Sequence, residues 1–558
     1  MDKDPALRSQ YAETINSDID KGYVIKVKDS NLETRSKREW YLPHHPVINP
    51  NKPGKVRRVL NGAAKFHGRS LNSSLMTGPD LLQDLFNVLL RFRQHPYAVS
   101  ADIEGMFLQV GVLQEDQASL RFLWREDPTE NVETLQYTRH IFGAKDSPTC
   151  ANFALQQTAR DNQSAFPEAA KAVQEKFYMD DYLDSVDCPQ KALLLSKDLV
   201  KMLKLGGFKL TKFVSNVPGL AETLEPSLDT PAVKDIATHS PVASHVLGLK
   251  WDHGKDTLNV SRGTVNKEND IVTQRIVLST VSAVFDPLGL VAPYTIKARL
   301  MLKDIWKISG QQWDDPLPQN LSDAFIEWCS DLPILAELSI PRAFFRNPVE
   351  CIELHMFGDS SQDVFCAVGF LRAKCLSSGE AMVRFVVGKA RVAPMKPLTI
   401  PKLELQAALL AARLKVKILN ALTINVQEVF MWTDSTTVLQ WIASVEKQPI
   451  FVANRVAEIR ESVPIEKWFY VPTAQNPADV GTRGLAASAL HDSGWVKGPQ
   501  FLQTNDWPFK PSPESCKLRL PPDNEVVHTV TMISTVAPKN LNKPVINLSR
   551  FSSYTKVV

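Results

Sequence analysis

Polar and apolar positions alternate with period two in several short runs, and these runs organise the chain. Val99, Ala101 and Ile103, followed by Phe107 and Val110, mark a strand running into a turn, with Asp102 inside it. Phe177 and Tyr178 precede, and Tyr182 and Leu183 follow, the acidic pair Asp180–Asp181, which predicts a β-hairpin with both carboxylates at its tip. Further on, Ile352, Leu354 and Met356 alternate with Glu353 and His355, predicting a half-buried strand that ends at Asp359. Residues 364–371 and 383–392 read as two more strands. The Ala- and Leu-rich stretch 401–419 predicts a helix with Pro401 and Glu404 in its first turn, where the helix end favours a negative group. Residues 428–442 read as a strand ending at Asp434 and a helix capped by Ser435, and 468–484 as a strand, a loop and Asp479.

These patterns divide the chain into four parts. Residues 1–215 alternate strand-like and helix-like segments after a charged helical opening and an extended, proline-containing entry at 40–50. Residues 216–345 begin with a loop-rich excursion (Pro218, Pro226, Pro231, Pro241) and continue as mixed structure with a helix near Thr295–Trp306. Residues 346–490 form the second alternating block, and 491–558 read as a mostly irregular tail. The expected class is multidomain α+β.

Composition refines this picture only slightly. The 558 residues are 44% hydrophobic and 22% charged, as in a soluble globular chain, and a net charge of +3 declares no global basic field. A large protein can keep a basic groove local. The seven cysteines are scattered with no CxxC pair, which argues against a disulfide framework or structural zinc and for a reducing compartment. The charged N-terminus lacks an apolar signal core, and no apolar run is long enough to span a membrane, so no membrane partner is expected.

The chemistry lies in the acids. An isolated pair of aspartates is usually a solvated turn. A pair held between apolar residues, with a strand aspartate beside it, brings three carboxylates together, a donor set that suits Mg²⁺. The YMDD segment at 178–181 resembles the catalytic hairpin of reverse transcriptases, and SADIEGMF at 100–107 resembles their first metal-binding motif. That resemblance implies fingers, palm and thumb, with Asp102, Asp180 and Asp181 as ligands of two Mg²⁺ ions, Mn²⁺ being an alternative. It implies that Phe107, five positions after Asp102, excludes a ribose 2′-hydroxyl and so selects dNTPs. By the same resemblance Phe142, Gly143, Ser147 and Pro148 open a helix beneath the incoming nucleotide and template. Lys55, Arg57, Arg58 and Lys212 contact the triphosphate, and residues 245–252 form the primer-grip hairpin.

The later block resembles ribonuclease H in its order β-β-β-α-β-α-β with Asp359, Glu404, Asp434 and Asp479 in sequence. The resemblance implies that these four hold two Mg²⁺ ions for cleavage of the RNA strand of an RNA–DNA hybrid. One departure is that Tyr470 stands near the position where many ribonucleases H carry a mobile histidine. Phrases spanning roughly residues 1–490, among them WYLPHHPV at 40–47, DPLGLVAP at 286–293 and QNPADVGTRG at 475–484, resemble the Pao/BEL group of LTR retrotransposon polyproteins. Their partners are an RNA template, a DNA primer, the RNA–DNA hybrid and dNTPs, and their setting is cytoplasmic virus-like particles followed by nuclear entry. Flanking zinc-knuckle and integrase-finger spacings are not found, so the sequence is expected to be a piece of a longer polyprotein or a truncated copy.

Two other readings stand beside this one. A decayed or domesticated copy would bind nucleic acid without catalysis. An aspartic peptidase, a label often given to the later segment in that family, needs an Asp-Thr/Ser-Gly loop between apolar strands. Only Asp492-Ser493-Gly494 offers one, in a polar context that reads as a surface turn.

Overall fold

A computed structural model describes residues 4–27, 38–48, 56–127, 129–225, 244–260 and 271–504. Lys55, most of the proline-rich excursion and residues 505–558 lie outside these. Proline at the first turn starts helix α1 (Pro5–Asp20), with Asp4 capping it through the Leu7 amide. Strands β1 (Val24–Lys26), β5 (Arg121–Trp124) and β6 (Glu133–Tyr137) make a small sheet, while β2 (His44–Ile48) and β3 (Val56–Leu60) pair as a hairpin. Helix α2 (Leu85–Phe92) follows, and then β4 (Tyr97–Ile103), whose alternating residues are buried as the period-two pattern predicts.

Strand β4 is central in a four-stranded sheet of order β7-β8-β4-β9, formed with β7 (Phe177–Tyr178), β8 (Asp181–Val186) and β9 (Leu210–Ser215). Helices α3 (Ser147–Asp161), α4 (Pro167–Lys176) and α5 (Pro189–Leu205) cover it, each with proline in the first turn. Their small and branched residues build a core of their own around Ala151, Leu155, Leu199 and Phe213.

Residues 245–252 do form a hairpin. Strands β10 (Ser244–Val246) and β11 (Leu249–Asp252) turn at Leu247–Gly248, and β12 (Thr257–Val260) and the distant β13 (Ser339–Pro341) extend it to four strands. Between them lie α6 (Gln274–Ala283), α7 (Ala292–Ile305), which matches the expected helix, and α8 (Gln319–Ser330).

The last sheet has the order β16-β15-β14-β17-β18. Its strands are β14 (Val349–Ser360), β15 (Val364–Cys375), β16 (Ala381–Val392), β17 (Glu428–Thr433) and β18 (Trp468–Tyr470). The first three are antiparallel; β14 and β17, and β17 and β18, are parallel. Helix α9 (Ile400–Ala421) makes the first crossover, and α10 (Thr436–Ala443) with α11 (Ile450–Ser462) makes the second, so two helices stand where the sequence suggested one.

Two expectations are corrected here. Strand β14 is buried on both faces from Leu354 to Asp359, not half-buried, and His355 is fully enclosed between Phe430 and Trp432. The second face is covered by residues 491–504, which were expected to open the irregular tail. Short helices at Gly494–Lys497 and Gln500–Gln503 instead bury Trp495, Phe501 and Leu502, and Arg372 fixes the segment by donating to the Leu502 carbonyl at 2.8 Å. One continuous core, which joins Trp251, Tyr294 and Phe344 to Phe370 and Leu409, runs across the border expected at 345. Among the described residues no helix is long and apolar enough to cross a membrane.

Candidate active sites

Antiparallel pairing of β4 with β8 sets Asp102 directly opposite Asp181. Asp180 sits in the tight turn between β7 and β8, where Met179 takes a φ of 55° and the Ile103 amide donates to the Asp180 carbonyl at 2.9 Å. Backbone pairing therefore places the three acids at one end of the sheet. Burial, then the charges of Asp180 and Asp102, push the Asp181 carboxyl up to about 7, and burial raises Asp180 as well. Asp180 and Asp181, half-buried beside the charge of Asp102, resist ionising together and are stabilised by a cation.

Lys212 supplies one now. It interrupts β9 with a φ of 57°, its amide donates to Glu225 at 2.7 Å, and its ammonium pairs with Asp102. Arg57 is exposed and close enough to Asp180 to lower its pKa. Arg58 is placed otherwise than expected. Its side chain is 5% exposed, paired with Asp18 and Tyr137 and set over the rings of Phe122 and Tyr137, because the β2–β3 hairpin packs on α1. It braces that hairpin and does not face the acids.

Phe107 lies in a 3₁₀ turn just past β4, 9% exposed, its ring 4.7 Å from the half-exposed ring of Phe142. Gly143 has a φ of 109°, and a Cβ there would stand 2.0 Å from the Leu60 carbonyl oxygen. The close approach it permits is to β3. Ser147 is fully buried and donates to the Ile141 carbonyl at 2.8 Å, so it ties the loop to the helix and is not open to a substrate. Pro148 begins α3 as expected.

The second cluster gathers at one end of the last sheet. Parallel pairing of Gly358 with Thr433 puts the following residues, Asp359 and Asp434, at adjacent strand ends. Asp479 is in the first turn of α12 (Ala478–Arg483), beside Arg483 at 2.9 Å. Glu404 falls just past the first turn of α9, one residue later than expected, because the helix begins at Ile400. Burial pushes the Asp359 carboxyl up to about 7 against the hydrogen bond from Thr482 at 2.5 Å, with Asp434 and Asp479 adding to the rise. Burial likewise raises Glu404, which accepts from the Ser435 hydroxyl, and Asp479.

Residues to which the sequence reading gave no role at the acids stand behind them and fix their positions. Ser435 caps α10 through the Val438 amide, as expected, but also holds Glu404. Buried Asn476 donates to the Gly358 carbonyl at 3.1 Å and accepts from the Ala478 amide, locking the Asp479 loop against β14. Thr482 joins Asp479's helix to Asp359. The polar run around Gln475–Thr482 was the available signal, but only the aspartate in it looked chemical. Tyr470 pairs with Thr433 on β18 and is 46% exposed, close along the sheet to Asp434. Asp492 is an exposed residue of a surface turn, paired with Lys497 and His491, with no second aspartate loop facing it among the described residues.

Oxygen-only donors in both clusters fit Mg²⁺ or Mn²⁺. Among the described residues neither cluster draws three carboxylates to within 4.8 Å of one another. Such open spacing suits ions that complete their shells with water and phosphate oxygens.

Comparison with known proteins agrees with this architecture. Residues 273–435 match the model of the Pao retrotransposon-like RNaseH-like domain, a span that includes Asp359, Glu404 and Asp434 and crosses the border expected at 345. No curated protein sequence matches. Among solved structures, the foamy viral protease-reverse transcriptase dRH in complex with double-stranded DNA aligns with a TM-score of 0.51 at 15% identity, over 84% of this chain and 70% of that one. The foamy viral protease-reverse transcriptase in complex with RNA/DNA hybrid aligns with a TM-score of 0.50 at 12% identity, over 84% of this chain and 54% of that one. At these identities the likeness is one of fold. Residues 273–435 are therefore similar to the Pao retrotransposon-like RNaseH-like domain, within a fold similar to that of the foamy viral protease-reverse transcriptase.

Proposed function

We propose that this chain is an RNA-directed DNA polymerase with a linked RNA–DNA hybrid ribonuclease H, from the pol polyprotein of a Pao/BEL-type LTR retrotransposon. The observation that carries the reading is the cross-strand pair Asp102–Asp181 with Asp180 at the neighbouring turn. In this reading the β4–β8–β9 sheet is the palm, the β2–β3 hairpin belongs to the fingers, and the β10–β11 hairpin is the primer grip.

Asp102, Asp180 and Asp181 would hold two Mg²⁺ ions, which lower the pKa of an attacking hydroxyl and offset charge on the leaving oxygen. The chain's own residues do the rest. The hairpin fixes the acids so that no reorganisation is needed when charge develops. Lys212, released from Asp102 once that carboxylate has another cation, and exposed Arg57 bind the triphosphate of a dNTP. Phe107, backed by Phe142, closes the space below the sugar. In the second site Asp359, Glu404, Asp434 and Asp479 hold the ions, while Ser435, Asn476 and Thr482 fix the acids' positions. Partners in complexes of the fold's relatives, double-stranded DNA and RNA/DNA hybrid, are the kinds of duplex these two sites would share.

The test is primer extension by the purified chain on poly(rA)/oligo(dT) with Mg²⁺ and dTTP. Incorporation is expected, and its absence from folded protein would leave nucleic-acid binding without polymerisation. Tyr470 favours a narrower version of that second reading, confined to the hybrid-cleaving half, because no histidine occurs between His355 and His491. Cleavage of a labelled hybrid, measured separately, decides it.

A further inference from the structure

A third cluster of metal-binding side chains lies apart from both acid clusters. Among the described residues His140, Asp146 and Cys150 are the one group of three His, Cys, Asp or Glu side chains whose ligand atoms all lie within 4.8 Å of one another. They come from the loop after β6 and the start of α3. Asp146 occupies the N-cap position of α3, yet its side chain makes no capping hydrogen bond. Its Oδ1 is buried without any hydrogen-bond partner. A buried carboxylate oxygen with no hydrogen-bond donor is a costly arrangement unless something else binds it. His140 and Asp146 also line a cavity of about 750 Å³, which gives a ligand a way in.

We infer that His140, Asp146 and Cys150 form a binding site for a borderline-soft divalent cation, zinc by preference. One imidazole, one thiolate and one carboxylate are poor ligands for Mg²⁺ and good ones for Zn²⁺. Bonds of about 2.0–2.3 Å in a tetrahedral shell set ligand atoms roughly 3.3–3.8 Å apart, so the three side chains need only small rotations to close. Binding transfers the Cys150 thiol proton to solvent and forms a sulfur–metal bond. The two anionic ligands neutralise the ion, so the positive end of α3 does not oppose it; burial and then the Asp146 charge raise the free Cys150 thiol, so it is the ion that draws the proton off. A fourth position opens toward the cavity for water. The ion ties the 140–146 loop, which carries Phe142 and Gly143, to the first turn of α3.

The test uses the full chain, stripped with chelator and titrated with Co²⁺ in excess Mg²⁺, then with Zn²⁺ as competitor. Expected are one equivalent of Co²⁺ with a thiolate-to-metal charge-transfer band, displaced by Zn²⁺. Cys150→Ser should abolish the band, and Asp146→Asn or His140→Gln should weaken binding by about 10- to 100-fold or more. Far-ultraviolet circular dichroism checks that each variant is folded. Carboxylate-bound Co²⁺ gives no such band, so the readout is independent of polymerase or nuclease activity. Absence of the band from the folded wild type, or its persistence in Cys150→Ser, overturns the site.

Discussion

Arg93, the residue that closes α2, donates through Nη2 to the carbonyl of Phe385 on β16 at 2.8 Å. The same guanidinium reaches the carbonyls of Pro341, Arg342 and Val386 and lies over the ring of Phe344. It is 1% exposed, and among the described residues no carboxylate pairs with it. Next to it Arg342 pairs with Asp256 and donates to the carbonyls of Phe92, His95 and Pro96. Two buried arginines thus join α2 to the β12–β13 sheet and to the last sheet through backbone oxygens. Arg93→Met keeps the aliphatic volume but leaves several buried carbonyls without donors, at roughly 1–3 kcal/mol each. Urea unfolding should show a loss of about 3 kcal/mol or more, and separate transitions for the parts it joins. An unchanged single transition would mean that the link contributes little.

The two acid clusters lie on different sheets and share no ligand, so each should fail alone. Asp181→Asn should cut primer extension by at least about 100-fold and leave hybrid cleavage within a few-fold. Asp434→Asn should do the reverse. Parallel assays on one preparation check this, and loss of both activities in either variant would undo the two-site assignment.

Asp181 and Asp359, both at about 7, link stability to pH in a direction opposite to that of paired surface carboxylates. In the unfolded chain an aspartate titrates near pH 4, so between there and about pH 7 the folded state holds more protons. Their contribution is full below the unfolded value and is lost as pH rises through the folded one. Melting in EDTA should therefore show these two groups lowering stability from about pH 4 to 7. Mg²⁺ should restore it increasingly as pH rises, because the ion binds the ionised form. Asp181→Asn should flatten part of the slope. A Mg²⁺ effect that shrinks with rising pH would contradict the assignment.

What the sequence showed were local patterns. Alternation around Asp102 and apolar flanks around Asp180–Asp181 define a strand and a hairpin within a few residues, and both are present. The last sheet was legible for the same reason, since its strands and long helix each satisfy their own period. What could not be read depends on partners far along the chain. Arg58 looked like a free cation until Asp18 and Tyr137 closed on it. His355 looked outward-facing because its cover comes from Phe430 and Trp432 on the distant β17, with Phe501 packed on Trp432 in turn. The segment that carries Phe501 read as a turn, since Asp492, Ser493, Gly494 and Pro499 suggest nothing else. Trp495 fits there only because Gly388 and Gly481 lack side chains, their Cβ positions lying 2.1 and 2.5 Å from its ring.

Phe107 offers the sharpest check on the nucleotide site. Its ring is nearly buried, packed on Phe142 and within the core that includes Met106 and Val173. A ring fixed by contacts on several sides cannot yield to an additional oxygen without displacing Phe142 or the 3₁₀ turn. Phe107→Ala would remove that wall but also risks a cavity costing about 3–5 kcal/mol, so Phe107→Val is the cleaner probe. Opening the space below the sugar should lower the preference for dNTP over rNTP by about 10- to 200-fold, the range that small steric differences in a pocket can produce. The change should appear in kcat/KM for the rNTP more than for the dNTP. If sugar discrimination is unchanged while the fold is intact, Phe107 is core packing alone, and selection against the 2′-hydroxyl must come from elsewhere in the chain.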